Sequence, residues 1–456
     1  MQLPLDYAVC CIRFLTNKLA YRSIIDYFWW FMDENNKNKI NNNIKNLLKG
    51  IAVGFIIIAL FFAGYFTHYF SLSKELRSIE YIIDIYKNHY YKDDASIPHE
   101  FASSIMDIYS GYYTKEEYQK YLKEGQGSKS GYGFAITSEL QITRIAGNSP
   151  AEKAGVKVGD TIVGYKNPND ADFIPAVTGE FQNFISQNSD YITLQLRSNG
   201  SLREIDIKKG EYTENYVFYT DKSGSYRFMG EGDELNFTPY EGEGITLNSG
   251  WAYLKFTSFN GLKNGTAGGA GQFKVALDKF KENNCENLII DLRNNGGGYL
   301  SNLAQIASYL CDSDEDGKFL VQKAIYKGGR EELFYSPKST YDNYNFKKIV
   351  FLANSGSASA SEALMGAVLD YDAKSGNNIV KVVLEANSSG VYKSYGKGIM
   401  QSMFNNMLTG EAVKLTTAEI VWPLTQISIH GVGLTPELDE RIVATLGDPI
   451  DYAQTL

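Results

Sequence analysis

The chain has 456 residues, enough for two or three domains of ordinary size. Its 44% apolar and 21% charged residues are the balance of a folded globular protein, not of a disordered one. A net charge of -9, from 44 Lys and Arg against 53 Asp and Glu, speaks against nucleic-acid binding, which needs a basic face. The four cysteines, Cys10, Cys11, Cys285 and Cys311, form no Cys-x-x-Cys pair, so neither a zinc site nor a dithiol redox site is expected. Cys285 and Cys311 read as free thiols in a core.

Residues 1–50 join an amphipathic aromatic stretch, ending Tyr27-Phe28-Trp29-Trp30-Phe31-Met32, to an Asn/Lys-rich run from Asn35 to Asn46. The Asn/Lys run reads as a solvated linker. Two readings of the aromatic stretch stay open: a segment lying at a membrane surface, or one with no role. Residues 51–70, Ile51 to Phe70, contain no Asp, Glu, Lys or Arg. Such a run of about 20 residues matches a hydrocarbon core about 30 Å thick. Tyr65 and Tyr69 fit an interfacial belt, and Lys37, Lys39, Lys45 and Lys49 place the preceding segment in the cytoplasm. With no small-x-small cleavage site after it, the span reads as an uncleaved signal anchor and not as a removed signal peptide.

Residues 74–124 read as helical, with Leu76, Ile79, Ile82, Ile83 and Tyr86 at helical spacing. Thr114 followed by Glu117 is a capping box. Residues 125–211 alternate strands and turns. Gly131-Tyr132-Gly133-Phe134 opens a strand, and Ile142 to Ile145 makes another. In Ser149-Pro150-Ala151-Glu152-Lys153-Ala154-Gly155, Ser149 caps a short helix, Pro150 stands at its first position and Gly155 ends it. Ile192–Arg197, a Ser198-Asn199-Gly200 turn and Leu202–Ile207 form a hairpin. The Gly147–Val163 stretch resembles the signature of bacterial PDZ modules. That resemblance implies strand addition of a C-terminal peptide, its carboxylate held by backbone N–H groups of Gly131, Tyr132, Gly133 and Phe134.

Residues 212–456 contain repeated strand–helix units, the pattern of an α/β core. Gly250–Phe256 reads as a strand, Gly268–Gly271 as a turn before a helix, and Leu288–Asp291 as a strand leading to a glycine turn and a helix over Leu303–Leu310. Asp312–Gly317 begins like a calcium loop, but the twelfth position is Lys323 where a bidentate Glu is required, so it reads as an exposed acidic turn. The apolar run Ile349–Leu352 enters Asn354-Ser355-Gly356-Ser357-Ala358-Ser359-Ala360-Ser361-Glu362, and a helix-like run follows. A serine there sits at a helix N-terminus, where unpaired N–H groups and the helix dipole favour an anion. Such a place suits a nucleophile whose attack creates an oxyanion.

Three stretches occur in order: Asp291-Leu292-Arg293-Asn294-Asn295-Gly296-Gly297-Gly298, the serine run, and Gly396-Lys397-Gly398-Ile399-Met400-Gln401. Together they resemble the S41 serine peptidases, the carboxyl-terminal processing proteases. The resemblance implies Ser359 as nucleophile, Lys397 as general base and Gln401 as its support. Asp107–Tyr118 and Ser428–Glu437 are similar to further segments of that family and read as structural. The separation of Ser359 and Lys397 exceeds the family's usual spacing; the extra residues are assigned to Asp372–Asn378 or Ala386–Lys393.

A lysine serves as base when burial disfavours its ammonium form. Only one of the four histidines, His430, falls in this region, and no G-x-S-x-G surrounds Ser359, so a Ser-His-Asp enzyme is poorly supported. If 397–401 is helical, Gln401 shares a face with Lys397. The oxyanion hole is assigned to backbone N–H groups of Ala360 and of Gly296 or Gly297.

The expected architecture is an α/β and α+β multidomain chain: an N-terminal transmembrane helix, a helical segment, a PDZ β-sandwich-like module and an α/β S41 peptidase core. The expected activity is serine endopeptidase cleavage outside the bacterial cytoplasmic membrane, on the periplasmic side, of protein or peptide substrates with apolar C-termini. No metal or organic cofactor is expected. The alternatives are a catalytically silent PDZ scaffold, favoured by the long Ser359–Lys397 separation, and an esterase on the same core.

Overall fold

The computed structural model describes residues 42–71, 73, 76, 79 and 97–456, except 187–189, 199, 229–236, 241–243, 262–267 and 312–316. The aromatic N-terminal stretch, Cys10 and Cys11, most of the helical reading of residues 74–96 and the acidic turn at Asp312–Asp316 lie outside the described residues. The chain divides into two units, Met1–Ile97 and Pro98–Leu456.

In the first unit, helix α1 (Asn42–Ser71) contains an apolar stretch, Lys49–Thr67, long and apolar enough to cross a membrane. None of that stretch is buried. Phe55 and Phe61 are about 70% exposed, a disposition water disfavours and lipid would accept.

The second unit opens within α2 (Ile97–Ile105), followed by β1 (Gly111–Tyr113) and α3 (Lys115–Gly125). The capping box at α3 forms as read: Thr114 N–H donates to Glu117 Oε2 at 2.8 Å and Glu117 N–H to Thr114 Oγ1 at 3.3 Å. The helical reading of this region fails at Gly111–Tyr113. Those residues pair antiparallel with Ala412–Lys414 of a strand far along the chain. That strand's backbone satisfies their hydrogen-bonding groups, which local periodicity does not register.

Next come β2 (Ser128–Gly131), β3 (Phe134–Ile136), β4 (Ile142–Ile145), α4 (Pro150–Lys153), β5 (Thr161–Lys166), β6 (Ile174–Pro175), α5 (Thr178–Ser186), β7 (Tyr191–Ser198), β8 (Ser201–Lys208) and β9 (Gly210–Thr213). They enclose a core of their own, including Ile142, Ala151, Ile162, Phe181, Ile192, Leu194 and Leu196. Four strands form a sheet in the order β6-β5-β7-β8, while β3 pairs with β4. The antiparallel β2–β9 pair brings the two ends of the module together, with Ser128 opposite Thr213. Ser149 caps α4 through its side chain, which accepts from Glu152 N–H, and Pro150 opens the helix.

The remainder supplies β10 (Val217–Asp221), β11 (Gly224–Phe228), β12 (Phe237–Pro239), β13 (Trp251–Phe256), α6 (Gly269–Glu282), β14 (Asn287–Asp291), α7 (Leu300–Leu310), β15 (Leu320–Tyr326), β16 (Glu331–Tyr335), β17 (Lys348–Ala353), α8 (Ala360–Ser375), β18 (Val380–Leu384), β19 (Ile399–Asn405), β20 (Ala412–Val421), β21 (Ile442–Ala444) and α9 (Pro449–Ala453). Eight strands form one sheet, β12-β11-β10-β13-β14-β17-β18-β21. It is parallel from β13 onward, as strand–helix alternation requires. Along each central strand alternate side chains enter opposite cores. Leu288, Ile290, Ile349 and Phe351 face the core of α6, α7 and α8. Ile289, Val350 and Leu352 pack with Ile450 and Ala453 of α9. Burial on both faces explains why these strands read as unbroken apolar runs.

Gly269-Ala270-Gly271, read as a turn, is the first turn of α6, closed by Gln272 N–H to Gly268 O at 2.9 Å. Cys285 and Cys311 are both buried and are not joined in a disulfide. A second sheet, β1-β20-β15-β16 with β19 also on β20, carries the lysine-bearing segment.

Helix α8 is almost wholly buried and meets Trp422 through Gly366, where an added Cβ would stand 2.2 Å from the indole Nε1. Trp422 is rigid and 3% exposed. In Gly366→Ala the gain in helix propensity, up to about 1 kcal/mol, is outweighed by overpacking of about 1–3 kcal/mol. Thermal unfolding of the variant should therefore begin at a lower temperature than in the native chain; an unchanged or raised midpoint would show that Trp422 moves aside.

Candidate active site

Parallel strands β14 and β17 are neighbours, so the loops leaving their carboxyl ends are side by side. Crevices at such ends are the usual ligand sites of open α/β sheets. The loop after β14 holds Arg293–Gly298 and the loop after β17 holds Asn354–Ser359. Hydrogen bonds join them: Ala358 N–H to Asn295 O at 3.0 Å, Ser361 Oγ–H to Asn295 O at 2.8 Å, Ser357 Oγ–H to Leu292 O at 2.8 Å, and Asn294 N–H to Asn354 Oδ1 at 3.0 Å. Beneath them Asp291 is fully buried, paired with Arg293 and accepting from Tyr253 OH at 2.7 Å. Arg293 also reaches Glu385 at 3.0 Å.

Ser359 caps α8 with φ 57° and ψ -115°, a backbone conformation that costs a non-glycine residue about 1–3 kcal/mol. Two features hold it there. Its N–H donates to Glu362 Oε2 at 2.9 Å. Gly297 also lies against the turn so closely that an added Cβ would stand 2.8 Å from Ser359 Cβ, Ala358 O and Ala360 N. Glycine at 297 is thus required by close approach. The Gly297 N–H already donates to Asn295 Oδ1 at 3.0 Å.

Lys397 sits half-buried between Gly396 and Gly398. Burial pushes its pKa down, the Lys414 charge pushes it further, and the Asp107 and Glu362 carboxylates oppose both without reversing the shift. Its Nζ lies over the Tyr109 ring, 4.6 Å from the centroid. Tyr109 in turn donates to Tyr395 Oη at 2.9 Å.

Glu362 was not singled out from the sequence, yet its carboxylate joins the serine turn to the lysine loop. Fully buried, it accepts from Ser359 N–H, from Gly396 N–H at 2.7 Å, from Lys397 N–H at 2.9 Å and from the Ser394 hydroxyl. Burial raises its pKa and these four bonds partly offset the rise. The Ser359-x-x-Glu362 spacing, the same capping signal read at Thr114, was the clue. Tyr109 lies in the Asp107–Tyr118 segment that reads as structural; its contact with Lys397 is made across the fold, which local spacing does not show.

Gln401 does not lie on a helix with Lys397. Residues Ile399–Asn405 form β19, paired with the long strand β20, and the register shifts between Met400 and Gln401. Strand pairing with a distant partner prevails over the i, i+4 reading. The Gln401 Nε2 donates to Thr416 Oγ1 at 3.0 Å. Ser359, Lys397, Gln401, Ala360, Gly296 and Gly297 all line one cavity of about 960 Å³.

Gly131, Tyr132, Gly133 and Phe134 do not line it. Tyr132 is buried in the core of the β2–β9 module. The carbonyls of Tyr132 and Gly133 accept from Ala151 and Ala146 N–H, both at 2.8 Å. Phe134 pairs with Ile145. His430 is exposed and outside the cavity. Among the described residues no three His, Cys, Asp or Glu side chains converge to hold a metal ion.

Residues 250–439 match the model of peptidase family S41. The chain is 26% identical over 375 residues to the "Probable CtpA-like serine protease" of Staphylococcus saprophyticus, covering 80% of this chain and 65% of the relative. It is 26% identical over 384 residues to the protein of the same description from Staphylococcus haemolyticus, covering 80% and 64%. The chain therefore spans about 65% of the length of the curated relatives it matches. Among solved structures, the photosystem II D1 C-terminal processing protease aligns at 20% identity over 77% of this chain and 80% of its own, with a TM-score of 0.42. The span that carries Ser359, Glu362, Lys397 and Gln401 is a domain of peptidase family S41.

Proposed function

We propose that the protein is a membrane-anchored serine endopeptidase working by a Ser/Lys mechanism. The observation that carries this reading is the joining of Ser359 and Lys397 on the Glu362 carboxylate at the wall of one cavity. In the proposed reaction the neutral Lys397 amine takes the proton of Ser359 Oγ as Oγ attacks the scissile carbonyl carbon. The oxyanion forms beside the N–H groups of Ala360 and Gly296. Gly296 is preferred over Gly297, whose N–H already donates to Asn295. The Lys397 ammonium then protonates the departing amine. Water, deprotonated by the same amine, hydrolyses the acyl-serine and restores both groups. Gln401, its amide turned by Thr416, would accept from Lys397 through Oε1 and fix the direction of its lone pair.

The β2–β9 module is proposed to act as a PDZ domain. β3 has β4 as its only strand partner among the described residues, leaving an edge for strand addition by an apolar C-terminal tail. The α1 helix is proposed to anchor the chain in the cytoplasmic membrane, with the peptidase domain on the extracytoplasmic side. The length and lack of charge of Lys49–Thr67 support this, and the lysines before it support the orientation.

Three outcomes test the catalytic reading. The detergent-solubilised chain should cleave an unfolded reporter ending in apolar residues, and Ser359→Ala and Lys397→Ala should each lower kcat/KM by about 10³-fold or more. Binding of the tail by all three with cleavage by none would establish the scaffold alternative, and cleavage that survives Ser359→Ala would show the nucleophile misplaced.

The pH profile gives the second test. The reactive amine must be neutral, so kcat/KM should rise with pH through the depressed Lys397 pKa, below the ordinary 10.5. Lys397→Arg should stay inactive throughout because a guanidinium does not deprotonate. A rise centred at or above 10.5 contradicts Lys397 as the base.

Glu362→Gln, nearly isosteric, would turn an amide NH₂ toward groups that are themselves donors. Loosening the serine turn against the lysine loop should cost about 10²-fold in kcat. KM should change little. A variant with native kcat would remove Glu362 from the positioning of the site.

A further inference from the structure

The electrostatics of the cavity carry one inference beyond this reading, and it rests on it. Of the residues lining the cavity only Lys397 and Lys414 bear charged groups; no acidic side chain lines it. This is unexpected in a chain of net charge -9. Lys414 projects from β20, where its backbone lies between Met403 of β19 and Gly111 of β1. No carboxylate among the described residues forms an ion pair with Lys414. Three other cations of the same unit that are withdrawn from solvent do have partners: Lys129 reaches Glu214 at 3.6 Å, Lys323 reaches Glu331 at 2.7 Å, and Arg441 reaches Asp439.

The placement carries a cost. Lys414 is a like charge that faces the amine proposed as base and works against its ammonium form. Like charges sharing a cleft repel unless an anion is brought between them. When Lys397 is neutral, as the reaction requires, Lys414 remains the single positive group on the cavity wall.

We propose that Lys414 binds a carboxylate of the peptide substrate inside the active-site cavity, so that cleavage selects chains carrying an acidic group close to the scissile bond. Two sources share this chemistry: the α-carboxylate of a nearby C-terminus and the side chain of Asp or Glu. A charge-assisted hydrogen bond from the ammonium to either would fix the register of the peptide against Ser359. The contact is separate from tail capture by the β2–β9 module, none of whose proposed binding residues lines the cavity.

The test uses the full chain in detergent and matched peptides of one length. One pair ends in a free acid or an amide. A second set carries Glu or Gln, moved stepwise on either side of the cleavage point. Affinity is measured on Ser359→Ala, with and without Lys414→Met or Lys414→Arg, and kcat/KM on the chains that retain Ser359. In one arm the carboxylate should bind about 10-fold more tightly than its neutral counterpart and be favoured about 10-fold in kcat/KM through KM. The preference should vanish in Lys414→Met and persist in Lys414→Arg. The arm that shows it names the source. Equal affinity for acid and neutral peptides, or a preference that survives Lys414→Met, overturns the proposal. A Lys414-dependent preference in binding with no cleavage by the native chain would uphold the carboxylate site while removing the peptidase reading.

Discussion

The buried carboxylate of Glu362 is the constraint on which the site depends. Removing a carboxylate from water costs several kcal/mol unless its lone pairs are satisfied. Here the satisfaction comes from three backbone N–H groups and a hydroxyl, drawn from both the serine turn and the lysine loop. Losing either segment would leave the carboxylate short of donors inside the protein. The serine turn and the lysine loop are therefore held in one arrangement, although 35 positions separate Glu362 from Lys397. The same bond to Ser359 N–H helps maintain the positive φ of that residue.

Two buried carboxylates meet the same penalty differently. Asp291 has a guanidinium against it, so the charges of Asp291 and Arg293 largely cancel under the glycine turn. Glu362 has only neutral donors, so its negative charge acts on its surroundings, including Lys397. By itself this would keep Lys397 protonated. Burial of the lysine and the nearby Lys414 prevail, and the pKa stays below the ordinary value. The balance is one in which a buried carboxylate is tolerated beside an amine whose ammonium form is disfavoured.

The sheet makes this arrangement affordable. Strands buried on both faces fix the heights of β14 and β17 to each other through their parallel ladder, with Asp291 level with Leu352. Their emerging loops are then stitched together at Asn295, Leu292 and Asn354. Strain at Ser359 is carried by this frame and by the close approach of Gly297, not by the serine's own preferences.

Much of this was legible in the chain itself. Runs of β-branched and apolar residues followed by glycine or small-residue turns mark β14 and β17 as buried strands. The serine run marks the start of a helix, and the order of three short motifs marks the residue types of Ser359, Lys397 and Gln401. The cap at Thr114 and the short helix at Pro150 follow from local hydrogen-bonding chemistry, which acts over three or four residues and is written in them.

What local sequence could not carry is any state chosen by a distant partner. Gly111–Tyr113 and Ile399–Asn405 become strands because β20 supplies their hydrogen bonds. Tyr109 meets Lys397, and Lys414 enters the same cavity, through that second sheet. Sequence determined which chemistry the chain has available, because side-chain type and short-range backbone preferences are local. Only tertiary structure decided which groups share a low-dielectric space, because burial and charge proximity are properties of the packed whole.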